Sequence, residues 1–101
     1  MNELIVVIVN SGFEEVVMSA ARGAGARGGT VFNARGTVES QELVKFMGIT
    51  MQPNKEIVFI LTTAEARDEI MTAIKKNTGL ATEGAGILFS LPVDSVLGVN
   101  L

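Results

Sequence analysis

The chain has 101 residues, 48% of them hydrophobic, with a mean hydropathy of +0.41 and a net charge of −3. One domain of this length buries roughly two-thirds of its unfolded surface. The apolar content exceeds that of an ordinary isolated domain, so part of the surface is expected to lie between subunits. With no cysteine, histidine, tryptophan or tyrosine, disulfides, thiolate and imidazole chemistry and the usual zinc ligands are excluded. Neither a broad basic surface nor an aromatic stacking platform speaks for nucleic acid.

Residues 4–9 are Leu4, Ile5, Val6, Val7, Ile8 and Val9, a short β-branched run without alternation that predicts a central strand buried on both faces. The run is far below the ~20 residues that span a bilayer, and no basic leader with a cleavage site precedes it, which points to a cytoplasmic protein. Ser11-Gly12-Phe13-Glu14 fits a capping box, in which serine and glutamate satisfy each other's free amides at a helix start. Val16, Val17, Ala20, Ala21 and Ala24 then share one helical stripe that Glu14, Glu15 and Arg22 leave, and glycines at 23, 25, 28 and 29 end the helix.

Residues 30–35, from Thr30 to Arg35, have strand propensity with mixed polarity, as suits an edge. Residues 56–62 are again nearly all apolar, and Thr62-Thr63-Ala64-Glu65 repeats the capping-box spacing. Ala66, Ile70, Ala73 and Ile74 predict the buried stripe of a second helix, Lys75 and Lys76 complement the negative end of its dipole, and Gly79 stops it. Residues 87–93 make a last strand whose Pro92 cannot donate to a ladder, which places it at an edge.

The order β-α-β-β-α-β predicts an α+β, ferredoxin-like domain over residues 1–101. Its four-stranded antiparallel sheet has the first and third strands in the middle and two helices on one face. Both central strands are apolar on both faces, so the face without helices is greasy and a homo-oligomer is expected to cover it. Residues 36–55 are far longer than a hairpin turn of about 2–5 residues. They contain Leu43, Val44, Phe46, Met47, Ile49 and Met51, too apolar for a simple linker, and residues 40–47 fit a short helix. Folding back on the same subunit, docking on a partner and disorder all remain open for this excursion.

Thr82-Glu83-Gly84-Ala85-Gly86 stands between the second helix and the last strand, where glycines either let backbone amides approach an anion or simply make a turn. Arg22, Arg27 and Arg35 bracket the second strand, as a phosphate or carboxylate site or as a solvated rim. The pairs Glu14–Glu15 and Asp68–Glu69 fall off the apolar stripes and read as surface charge. No serine has a histidine to activate it and no phosphate loop of the G-x-x-x-x-G-K type occurs, so the chain is not expected to be an enzyme.

Gly28-Gly29-Thr30-Val31, Arg35-Gly36 before the long excursion, and Gly84-Ala85-Gly86-Ile87-Leu88-Phe89 followed by Pro92-Val93 resemble, in order, motifs of the PII signal-transduction family. These are its G-x-T-V second strand, the base of its T-loop, and its G-D-G-K-[IV]-F ligand loop with an F-x-x-P-V extension. The resemblance runs through nearly the whole chain. It implies a homotrimer with a small effector bound in clefts between subunits, and a loop over residues 37–54 that docks on a transporter or enzyme. By position it implies that Ile8 and Thr30 line an adenine pocket while Gly36, Gly84 and Gly86 let backbone approach ribose and phosphate.

The chain departs from the family at the charges. Ile87 stands where the phosphate-binding lysine would be, Gly98 and Asn100 where two arginines would be, and Ala85 in place of the aspartate. The excursion lacks the tyrosine that some members have modified and is shorter than in nitrogen-regulating members. A charge-assisted contact contributes about 1.5–3 kcal/mol, so losing three weakens a triphosphate by ~10³-fold or more. The expected effector is therefore a low-charge adenine nucleotide, AMP or ADP, or another small anion, rather than ATP. Three other readings compete. One is a trimeric interaction module without small-molecule binding. Another is a ferredoxin-like enzyme of the acylphosphatase type. The last is a CutA-like trimer holding a divalent metal through carboxylates.

Overall fold

The computed structural model describes residues 1–37, 54–79 and 86–101. In chain order the elements are β1 (Asn2–Asn10), α1 (Glu14–Gly23), β2 (Thr30–Arg35), β3 (Asn54–Thr63), α2 (Ala64–Thr78) and β4 (Ile87–Val93). The four strands form one antiparallel sheet in the order β2-β3-β1-β4. The two long apolar strands therefore occupy the centre, and the strand of mixed polarity and the strand with Pro92 occupy the edges. This is the ferredoxin-like arrangement expected from the sequence.

Alternation along the central strands separates two faces. Ile5, Val7 and Val9 of β1 and Val58 and Ile60 of β3 point to one side, where they are fully buried with Val17 and Ala21 of α1 and Ile70 and Ile74 of α2. This is the core, and both helices lie on it. The α1 stripe is rotated from the expected one: Met18 is buried, whereas Val16 is 39% exposed.

The opposite face carries no helix among the described residues. Leu4, Val6 and Ile8 of β1 stand beside Leu61, Phe59 and Ile57 of β3 and beside Leu91, Phe89 and Ile87 of β4. Phe32 joins them from β2, its ring centroid 4.7 Å from that of Phe59. At its edges this face is open to solvent, with Ile87 58%, Leu91 47%, Phe32 42% and Phe89 38% exposed.

Both helix starts differ from the capping boxes. Phe13 occupies the N-cap position of α1 and makes no side-chain cap bond. The amide of Gly12 instead donates to Oε1 of Glu56, 2.7 Å away on β3. A carboxylate from the neighbouring strand thus replaces the local serine, and it suits the positive end of the helix dipole. At α2 the cap is Thr63, one residue later than expected, whose Oγ1 accepts from the amide of Ala66 at 3.3 Å. Thr62 is taken by β3 and buried opposite Glu3. Gly79 closes α2 at φ 58°, a left-handed conformation that glycine adopts without penalty.

Candidate functional site

The strands are antiparallel, so the ends of β1 and β2 and the starts of β3 and β4 meet at one end of the sheet. Of the residues assigned to an effector, three gather there. Ile8 stands opposite Ile57 on one side and Ile87 on the other. Gly86 directly precedes β4, and Gly36 directly follows β2. Gly84 lies outside the described residues, as do residues 38–53, which hold most of the 37–54 loop and its expected short helix. Asn54 is the first residue of β3, two residues before the start expected at Glu56.

Polar groups buried at this end carry more order than the sequence suggested. Lys55 is only 8% exposed, and its Nζ donates to Oδ1 of Asn10, its cross-strand partner, at 2.5 Å. Gly36 lies flat against the lysine stem: a Cβ there would come 3.0 Å from Cε of Lys55. The base of the excursion is thus clamped on both sides, since the amide of Ser11 also donates to the carbonyl of Asn54 at 3.0 Å.

On the helix side of the same end, the Glu56 carboxyl is held below the ordinary glutamate range. The Gly12 amide is the main cause, burial opposes it, and the Glu14 and Ser11 side chains add smaller effects in the same direction as the amide. Glu14 is therefore not the surface charge its place off the stripe implied. Its Oε2 is buried and has no hydrogen-bond partner among the described residues. The pair Asp68–Glu69 is exposed as expected, with Asp68 accepting from Arg67. The described residues contain no group of three or more acidic side chains placed to hold a metal ion.

Thr30 is separated from the other assigned residues. It opens β2 opposite Phe59, toward the far end of the sheet, and lines a cavity of about 480 Å³ on the face opposite the described helices with Leu4, Phe59 and Leu61. The C-terminal segment crosses that face from β4 and brings Val99 and Leu101 over the cavity. It is tied down by Nη1 of Arg27, which donates to the carbonyl of Asn100 at 2.6 Å. Gly98 takes φ 98° on the way, a conformation closed to an ordinary side chain. Of the three arginines around β2, only Arg27 borders this cavity.

The chain is thus a small ferredoxin-like domain in which the sheet face opposite the two described helices is apolar and partly exposed. The sequence profile described as nitrogen regulatory protein P-II matches residues 2–100. The chain belongs to the P-II family, whose members are regulatory proteins. Among solved structures it is similar to PII of Arabidopsis thaliana in a crystal bound to citrate. That similarity covers 97% of this chain and 80% of the plant chain, with 23% identity and a TM-score of 0.72. Curated protein sequences contain no match.

Proposed function

We propose that this chain is a cytoplasmic, non-enzymatic PII-like regulator made of a single domain over residues 1–101. It works as a homotrimer that binds a small effector between subunits and acts on a partner, a transporter or an enzyme, through residues 37–54. The observation that carries this reading is the sheet face opposite the described helices. Its exposed side chains, Phe32 at one edge and Ile87, Phe89 and Leu91 at the other, flank the half-buried Leu4, Ile8, Ile57 and Phe59, an apolar face of the sort that monomeric proteins avoid.

The distribution of the assigned residues supports binding between copies. Ile8, Gly36 and Gly86 sit at one end of the sheet, and Thr30 lies toward the other beneath the tethered tail. An effector that touches both sets would be enclosed by two copies packed through the helix-free face. An effector held there touches the clamp of Asn10, Lys55 and Gly36 from which the loop departs. Its differential affinity for loop states would then be the regulatory mechanism. AMP, ADP or another small anion fits better than ATP, because Ile87 and Gly98 supply no cation for a phosphate chain.

The test is the mass in solution by light scattering, followed by a thermal-shift panel of AMP, ADP, ATP, citrate and bicarbonate. A bound effector stabilises the native state by RT ln(1 + [L]/Kd). A trimer that shifts with a low-charge ligand and not with ATP is expected. A monomer refutes the assembly. A trimer that shifts with none of them favours the interaction module, in which the loop acts constitutively.

A further inference from the structure

The cavity under the C-terminal segment has the makings of a small-molecule site in its own right. Leu4, Phe59 and Leu61 form an apolar floor, Gly28, Gly29 and Thr30 one rim, and Val99 and Leu101 the other. Its volume of about 480 Å³ is that of a pocket for a small metabolite. A larger cavity of about 660 Å³ between α1 and α2 has Glu15 as its one charged lining residue among those described, and so offers an anion no cation.

Arg27 is the charged side chain on the rim of the smaller cavity. One of its nitrogens donates to the Asn100 carbonyl, and a guanidinium has several further N–H donors in a rigid planar fork. Among the described residues no carboxylate comes within ion-pair distance of it, the acidic partners Glu3 and Asp68 both belonging to Arg67. Arg27 is therefore held by a neutral carbonyl and, among the described residues, pairs with no carboxylate. The turn before β2 lies close on the sheet because residue 29 is glycine: a Cβ there would meet Sδ of Met18 at 2.8 Å and the carbonyl oxygen of Phe59 at 3.0 Å. That close approach brings Arg27 to the edge of the apolar floor.

We propose that Arg27 anchors the single anionic group, phosphate or carboxylate, of a small effector whose apolar body lies over Leu4, Phe59 and Leu61 beneath the tethered tail. This rests on the effector-binding reading above and adds to it the anchoring residue and the charge class of the ligand. The planar fork matches a phosphate or a carboxylate through two parallel hydrogen bonds. One guanidinium balances a carboxylate and offsets part of the charge of a phosphate monoester, about −1.5 to −2 at neutral pH. A longer phosphate chain would press further charge against apolar walls with nothing to pair it.

Titration calorimetry on the intact protein tests this as a thermodynamic cycle. AMP and adenosine are compared on wild type, Arg27→Ala and Arg27→Lys, with benzoate and benzamide as a second pair that separates a carboxylate from a phosphate. Wild type should prefer the charged member of one pair by about tenfold to a hundredfold. Arg27→Ala should erase that preference, whatever affinity for both members is lost with the tether to Asn100, and Arg27→Lys should keep part of it. A merely structural arginine would weaken both members alike. Preference undiminished in Arg27→Ala overturns the anchor and leaves the effector reading standing. A wild-type protein that binds none of these probes and does not respond to the thermal-shift panel overturns both.

Discussion

The cap on α1 offers a test of how much one buried carboxylate contributes. Glu56 is 8% exposed, and its Oε1 accepts the Gly12 amide at 2.7 Å. Glu56→Ala removes the acceptor and leaves that amide without a side-chain partner, a loss of about 2 kcal/mol for a charged cap. Glu56→Gln keeps an acceptor and the volume and loses the charge, for about 1 kcal/mol. With a urea m-value of roughly 2 kcal/mol/M, the alanine variant should unfold at about 1 M less urea. Unfolding should be followed at one fixed protomer concentration, because the stability of an oligomer depends on it. The pH dependence has a definite sign. The folded value of Glu56 lies below its usual 4.5, so its contribution is complete above that value and disappears as the pH falls through the lower folded value. The gap between wild type and Glu56→Gln should close on acidification below about pH 4.5. An alanine variant within about 0.3 kcal/mol of wild type at unchanged m, or a gap that persists through that acid range, would refute the capping role.

Gly29→Ala should cost about 1–3 kcal/mol in thermal unfolding, since the Phe59 carbonyl oxygen that its Cβ meets at 3.0 Å belongs to a central strand and cannot yield. Gly79→Ala should cost about 1 kcal/mol, because φ 58° puts a Cβ in the left-handed region; a denaturation curve superposable on wild type would show that the helix end relaxes. Thr63→Ala should destabilise α2 by about 1 kcal/mol by chemical denaturation, while loss of the hydroxyl at the expected cap, Thr62→Ser→Ala compared stepwise, should show no capping contribution.

Where a structural feature is written within one element, the sequence expressed it. β2 and β4 begin and end where propensity and turn residues placed them, at 30–35 and 87–93. The two central strands are longer than their apolar runs. Asn10 pairs with Lys55 and Asn2 with Thr63, so the ladder carries polar residues that hydropathy alone would leave out. The caps failed for the related reason that a local pattern competes with tertiary donors and acceptors. Ser11 and Glu14 have the spacing of a capping box, but the strand beside them takes the Ser11 amide with the Asn54 carbonyl and the Gly12 amide with the Glu56 carboxylate.

The candidate site follows the same division. Ile8, Gly36 and Gly86 were assigned from motif order, and the antiparallel register brings them to one end of the sheet, because strand ends are fixed by topology once the element order is known. Lys55 read as the last residue of a loop, yet it is a buried strand residue whose amine requires the Asn10 amide oxygen 45 positions away. Arg27 and Asn100 are 73 positions apart, and no periodicity within either segment joins them. The nearest signal was the departure expected at residue 100, where the resemblance implies an arginine and the chain has asparagine; the tail there receives a guanidinium from residue 27. A lost cation at one point of a site is thus a reason to look for another approaching from a different element. That element, the glycine-rich turn before β2, can approach only because Gly29 lets the backbone touch the sheet.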